Sequence, residues 1–168
     1  CCVTGHRDLP QKEINYVKAA LRREVDRAAA DGYTCFMSGF GEGVDQYFAE
    51  IVLERQKGNP ALELIAVIPY RKRLDSLNEK GRTYKMLEAC AEVIVVQEKY
   101  HPSVYSRRSR YMAERSDRVI AVYDGRENGG TVRTIRFVHM LKKELREIPV
   151  GFEPSKYKAE HIVKLYRK

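Results

Sequence analysis

The apolar positions of the chain switch repeatedly between the period of a strand and the period of a helix. Short apolar runs, such as residues 62–68, are typical of strands that are covered on both faces of a sheet. Between these runs, apolar residues recur every three or four positions, which is the period of an amphipathic helix. One helix-like segment carries Ile14, Val17, Leu21, Val25 and Ala28. The alternation predicts an α/β protein with a mostly parallel central sheet of five to six strands.

The runs also predict where the elements begin and end. The first strand is expected to end at Val3, and later strands are expected over residues 33–37, 62–68, 93–96, 118–123 and, as an edge strand, 148–152. Helices are predicted between them, including residues 71–91 with an interruption near Gly81, and residues 104–115. A long helix is expected to start at residues 129–131 and to include Leu141 and Leu145.

Length and charge place this pattern in one basic domain. The 168 residues fit a single domain, with a basic extension from about residue 153. The net charge of +8 suits acidic partners such as phosphates or nucleic acid, but the basic residues are dispersed, and solvated helix faces explain most of them equally well. Without a long apolar run or a leader sequence, a cytoplasmic chain with no membrane partner is expected. The absence of an initial Met suggests that a few residues precede Cys1 and that the first strand is incomplete.

The cysteines and histidines do not have the spacing of a metal site or a disulfide scaffold. Cys35 and Cys90 are expected to be small buried apolar residues in the reduced state. No metal is therefore expected.

Candidate chemistry concentrates in three loops that follow strands. Ligands of open parallel sheets bind outside the carboxyl ends of the strands. Residues 4–8, 38–45 and 124–131 follow predicted strands, and the last two segments carry glycines that lead into helices, whose N-termini attract anions. The glycines could instead only permit tight turns. The spacing of the second loop, GxGxG, is not the GxGxxG of dinucleotide-binding proteins, which argues against an NAD dehydrogenase.

Eleven tyrosines and no tryptophan form an unusual aromatic set. Tyr123, at the end of a predicted strand, and Tyr70, just after another, are the best candidates for stacking on a base. Tyr100, Tyr105 and Tyr111 are weaker candidates, and each tyrosine could instead be half-buried between a helix and the sheet.

Four motifs together resemble the YpsA-like family of bacterial proteins. They are Thr4-Gly5-His6-Arg7, Ser38-Gly39 with Gly43-Val44-Asp45-Gln46, Arg108-x-Arg110-Tyr111-Met112 with Ser116-Asp117, and Tyr123-Asp124-Gly125 with Gly129-Gly130-Thr131. The resemblance runs to about Leu145. It implies a Rossmann-like three-layer fold of the SLOG superfamily, which includes the LOG phosphoribohydrolases and the DprA/Smf proteins, with helices on both faces of the sheet. It also implies a pocket for an adenine nucleotide or an ADP-ribose-like ligand, and a role in bacterial growth or cell division.

One departure bears on catalysis. LOG enzymes use an Arg that corresponds to Arg108 and a Glu in a glycine-rich loop, and Thr134 stands where that Glu would fall. A Thr hydroxyl cannot act as the carboxylate. The chain is therefore expected to bind its ligand without the LOG reaction, although Asp45 or Asp124 could supply other chemistry.

The ligand-binding residues predicted from the loops and the resemblance are Thr4, Gly5, His6, Arg7, Ser38, Gly39, Gly43, Asp45, Gln46, Arg108, Tyr123, Asp124, Gly129, Gly130 and Thr131. Their glycine N–H groups and arginines would hold phosphate. The leading hypothesis is a nucleotide-binding sensor or regulator. An N-glycosidic hydrolase and a single-stranded DNA-binding protein are the alternatives, and dispersed charge argues against the second. A protein partner and a homo-oligomer stay open.

Overall fold

The computed structural model describes residues 1–79 and 81–151, which form a six-stranded, all-parallel sheet with helices on both faces. This confirms the predicted α/β, Rossmann-like class. The predicted extension from about residue 153 and Phe152 of the predicted edge strand lie outside the described residues.

The strands and helices alternate along the chain. The strands are β1 (Cys2–Gly5), β2 (Cys35–Ser38), β3 (Glu63–Ile68), β4 (Glu92–Val95), β5 (Arg118–Tyr123) and β6 (Glu144–Pro149). The helices are α1 (Ile14–Ala30), α2 (Val44–Gln56), α3 (Arg71–Asn78), α4 (Gly81–Glu88), α5 (Val104–Arg115) and α6 (Gly130–Met140), and a short 3₁₀ turn over Gln11–Glu13 precedes α1. The predicted interruption near Gly81 separates α3 from α4.

The strand order β4-β3-β2-β1-β5-β6 puts the change of direction between β1 and β5. The chain adds strands to one side of β1 as far as β4, and then returns to place β5 on its other side. β1 and β5 pair over four positions, from Cys2 with Val119 to Gly5 with Val122. The loops that follow these two strands therefore diverge, and a crevice opens where they separate.

Two apolar layers cover the sheet. Residues of α1 to α4 pack on one face, around Leu21, Phe36 and Phe48, which are fully buried. The helices α5 and α6 cover the other face through residues such as Met112 and Ile135. Every residue of β5 is buried, which explains its nearly continuous apolar sequence.

The prediction of a long last helix was wrong. α6 ends at Met140, and Lys142 adopts a positive φ of 53°, so that the chain turns back into β6. Leu145 then belongs to β6 and pairs with Val119 of β5. The four-residue spacing of Leu141 and Leu145 imitates a helix, but tertiary structure decides the outcome, because residues 144–149 pair with β5 while Leu141 and Leu145 pack against the apolar layer.

Two smaller findings concern the cysteines and the membrane. The four cysteines are free thiols. Cys35 and Cys90 are only partly buried, which corrects the expectation for both, whereas Cys1 and Cys2 are buried. Within the described residues, no helix is long and apolar enough to cross a bilayer.

Candidate functional site

A cavity of about 230 Å³ lies at the carboxyl end of β1, between the first turns of α5 and α6. It coincides with the change of direction in the sheet. Its walls come from β1 and the loop after it, from the start of α2, and from α5 and α6. The lining residues are Val3, Thr4, Gly5, Arg7, Asp45, Tyr105, Arg108, Ser109, Met112, Gly130, Thr131, Arg133 and Thr134.

Three arginines from three elements reach this cavity. Arg7 follows β1, Arg108 lies on α5 and Arg133 lies in the first turns of α6. Arg7 and Arg133 are exposed, whereas Arg108 is half-buried. The cavity is therefore electropositive, and it suits an anion that three guanidinium groups can contact together.

Arg108 is held against the loop after β2. Its Nη1 donates a hydrogen bond to the carbonyl oxygen of Gly39 at 2.9 Å, and its Nε is buried with no hydrogen-bond partner in the described structure. Burial lowers the pKa of the guanidinium, although the nearby carboxylate of Asp45 acts in the opposite direction. Arg108 thus keeps a buried donor group beside the cavity, at a cost in desolvation.

Close packing explains the glycines of the loop after β2. A Cβ atom at Gly39 would lie 2.7 Å from the Arg108 guanidinium and 2.9 Å from Asp45 Oδ2. Gly43 has a φ of 80°, and a Cβ atom there would lie 3.0 Å from the backbone oxygen of His6. Neither residue lines the cavity, so these two glycines let the walls approach each other.

Asp45 brings one carboxylate into the cavity. Its Oδ2 accepts a hydrogen bond from the N–H of Gly41 at 3.0 Å, and its backbone oxygen accepts one from Ser38 Oγ at 2.8 Å. Burial raises the pKa of Asp45, and Arg108 opposes that shift. Ser38 and Gln46 lie outside the cavity. Ser38 fixes the start of α2, and the Gln46 N–H donates to the Gly43 oxygen at 3.1 Å.

The N-terminus of α6 is open toward the cavity. Gly129 precedes the helix with a φ of 125°, and no side chain caps the first turn. The N–H groups of a first turn have no intrahelical partner, so those of Gly130 and Thr131 are available to an anion. Added Cβ atoms at Gly129 or Gly130 would meet nothing within 4 Å. Here, unlike at Gly39, the glycines border open space.

Thr134 is the residue that the resemblance led us to expect in place of a catalytic Glu. It is buried in the cavity wall, and its hydroxyl donates to the Gly130 oxygen at 3.0 Å. This hydrogen bond to the preceding helical turn is common for Thr. The hydroxyl is consequently engaged within α6 rather than directed at a substrate.

His6, Asp124 and Tyr123 belong to a second cluster next to the cavity. His6 Nε2 lies 3.0 Å from Asp124 Oδ1. Asp124 pairs with Arg126, whose Nη1 lies 3.2 Å from Asp8, and the Tyr123 hydroxyl donates to the Arg126 oxygen at 2.8 Å. The cluster joins the loop after β1 to the loop after β5.

Charge and burial set the pKa values in this cluster. Burial lowers the pKa of His6, although Asp124 opposes the shift. Hydrogen bonds from Arg126 lower the pKa of Asp124 despite its partial burial. The two shifts favour a neutral His6 imidazole beside a charged Asp124 carboxylate. This His6–Asp124 pair does not line the cavity, and it orients the two loops that border it.

Several cavity residues are absent from the predicted binding set. The sequence favours Tyr70 and Tyr123 over Tyr105, and it does not predict Ser109, Met112, Arg133 or Thr134 as ligand-binding residues. One signal could have found part of the set. Tyr105, Arg108, Ser109 and Met112 follow the spacing i, i+3, i+4, i+7, which puts them on one stripe of α5. The stripe faces the cavity.

The chain is similar to bacterial proteins of one family. The sequence model of YpsA, described as "YspA SLOG family", matches residues 1–149. A "UPF0398 protein" of Ligilactobacillus salivarius (strain UCC118) is 23% identical, and the alignment covers 98% of this chain and 95% of that protein. A "UPF0398 protein" of Bacillus pumilus (strain SAFR-032) is 27% identical. That alignment covers 69% of this chain and 64% of the relative. These matches confirm the resemblance that the four motifs indicated.

Proposed function

The chain belongs to the YpsA SLOG family, and from this premise we propose that it binds a nucleotide-derived ligand by its phosphate groups. The SLOG family suggests nucleotide-related binding without fixing a ligand or a reaction. The observation that carries the proposal is the convergence of Arg7, Arg108 and Arg133 with the uncapped start of α6 on one cavity. Phosphate suits both features, because it accepts hydrogen bonds from guanidinium groups and from the N–H groups of a helix N-terminus.

The ligand class is an adenine nucleotide or ADP-ribose, and the role is that of a sensor or regulator in bacterial growth or cell division. A binding role follows from Thr134, because its hydroxyl is engaged within α6 and lacks the proton-transfer capacity of a carboxylate.

A thermal-shift experiment with ADP-ribose and AMP tests the proposal. A ligand at 100 times its dissociation constant stabilises the folded state by about 2.7 kcal/mol. For a chain of this length, that energy raises the melting temperature by about 5–10 °C. If neither compound shifts the melt at millimolar concentration, the proposal is wrong.

Two glycines provide a matched pair of variants. Gly130 and Gly81 are each the first residue of a helix, and a Cβ atom at either position would meet nothing within 4 Å. Gly130→Leu should leave the protein folded but abolish the ligand shift, because its side chain would fill the space where phosphate approaches the backbone. Gly81→Leu, away from the cavity, should keep the full shift. Arg108→Ala should weaken binding by about 1.5–3 kcal/mol, as expected for a lost hydrogen bond to a charged group.

Asp45 supports a second candidate function, cleavage of the N-glycosidic bond of such a nucleotide. It is a buried carboxylate in the same cavity, with a raised pKa, and general acids in active sites share these properties. The binding proposal expects no release of free base when the purified protein is incubated with AMP. Base release that Asp45→Asn and Arg108→Ala each abolish would establish the hydrolase instead.

A further inference from the structure

Three tyrosines form a continuous aromatic surface that begins in the cavity wall. We call Tyr105, Tyr70 and Tyr100 the tyrosine ledge. The rings of Tyr105 and Tyr70 are 6.4 Å apart and perpendicular, and those of Tyr70 and Tyr100 are 5.4 Å apart at 75°. Tyr105 lies at the start of α5, Tyr70 lies between β3 and α3, and Tyr100 lies in the loop between β4 and α5. Their convergence therefore depends on the tertiary fold.

The ledge is open to solvent at its outer end. Tyr100 is 62% exposed, whereas Tyr70 and Tyr105 are half-buried. The exposed part of the Tyr100 ring adds nothing to the core, because an aromatic side chain stabilises a fold through the surface that it buries. Tyr70 packs against Tyr100 edge to face and leaves most of the Tyr100 ring exposed to solvent. A flat, apolar group can therefore bind on the exposed ring.

Cations surround the inner end of the ledge. The guanidinium carbons of Arg7 and Arg108 each lie 5.8 Å from the centre of the Tyr105 ring. The positive charges of the cavity therefore continue onto the aromatic surface. Aromatic rings interleaved with arginines are a combination that binds bases and phosphates together.

The cavity is small for a whole nucleotide. Sites for small molecules enclose about 300–1,000 Å³, and this cavity has about 230 Å³. That volume suits a phosphate and part of a sugar and leaves the base of a nucleotide to contact a surface beside the cavity. α6 and its N-terminus stand on the β5 side of the cavity, whereas the ledge extends toward the ends of β3 and β4. A ligand with phosphate at α6 would therefore direct its other end along the ledge.

We propose that the tyrosine ledge is the base-binding part of the site, so that the ligand is a nucleotide with an unobstructed base rather than a sugar phosphate or an inorganic phosphate. The inference rests on the proposed function. The phosphate binds at the start of α6 and the arginines, the sugar crosses the Tyr105 wall, and the base stacks on the exposed ring of Tyr100, which Tyr70 supports edge to face.

Calorimetry with AMP and ribose 5-phosphate tests the ledge, because the two probes differ only in the base. AMP should bind more tightly than ribose 5-phosphate. Tyr100→Ala should weaken AMP binding about 5- to 150-fold, the range for removing one stacking ring, and should leave ribose 5-phosphate binding unchanged. Tyr100→Phe should restore AMP binding, because the ring remains. Tyr16 on α1 is also an exposed tyrosine, and Tyr16→Ala is the control that should change neither affinity.

The outcomes separate this inference from the proposed function. Equal affinities for the two probes, with no effect of Tyr100→Ala or of Tyr70→Leu, would overturn the ledge while phosphate binding stands. An equal loss for both probes in Tyr100→Ala would also overturn it, since the residue would then act on the fold or the phosphate site. If neither probe binds and ADP-ribose gives no thermal shift, the proposed function fails and the ledge with it.

Discussion

Gly39 offers the sharpest test of how the site is built, because its missing side chain leaves room for Arg108. In Gly39→Ala, the added methyl would lie 2.7 Å from Arg108 Cζ and Nη1, well inside ordinary contact distance. The guanidinium is the end of a flexible side chain, so it should withdraw by about 1 Å rather than force the backbone apart. The 2.9 Å hydrogen bond to the Gly39 oxygen would then be lost.

The expected cost follows from that hydrogen bond. Losing one with a charged donor costs about 1.5–3 kcal/mol, and the buried carbonyl oxygen of Gly39 is left without this partner. Urea unfolding followed by circular dichroism measures the change in the free energy of unfolding. Gly58→Ala is the control, because its nearest contact would be an ordinary 3.8 Å, and it should stay within about 0.5 kcal/mol of the parent protein.

A double-mutant cycle identifies Arg108 as the cause. In an Arg108→Ala background the hydrogen bond is already absent, so Gly39→Ala should cost at least about 1 kcal/mol less than in the parent protein. The close approach to Asp45 Oδ2 is present in both backgrounds and largely cancels. If the two substitutions add within about 0.5 kcal/mol, the glycine does not act by making room for Arg108.

Two further predictions concern stability away from the cavity. Arg118 is buried, and its guanidinium lies 2.7 Å from Asp31 and 2.9 Å from Glu144. Arg118→Ala should therefore lower the free energy of unfolding in urea by about 1–3 kcal/mol without changing AMP affinity. An unchanged unfolding midpoint would contradict this. Burial depresses the folded-state pKa of His6, so the unfolded chain takes up that proton more readily, and stability should fall as the pH drops below about 6.5. His6→Gln should lose less stability than the parent protein between pH 7 and pH 5, and equal losses would show that His6 does not titrate in this way. His139, whose pKa is also lowered, remains in both proteins and cancels in the comparison.

The sequence alone determined the class of the fold and the edge of the sheet at which the candidate loops meet. Hydrophobic period is a local property, so residues 118–123 and 104–115 could be assigned without knowledge of the rest of the chain. Parallel strands also bring their carboxyl ends to one edge, so the segments after β1, β2 and β5 are expected to lie close together there, and residues of all three line the cavity. The end of α6 was not determined in this way, because Leu145 fits a helix locally and belongs to β6 only through its pairing with β5.

Only the tertiary structure decided which groups each candidate residue contacts. Gly39 and Gly130 look alike in the sequence, yet Gly39 packs against a guanidinium 69 residues away and Gly130 borders an open cavity. Tyr105 lines that cavity, whereas the favoured Tyr123 is buried beside it. These differences depend on distances between segments far apart in the chain. Such distances are fixed by the packing of helices on the sheet, and no local pattern of residues encodes them.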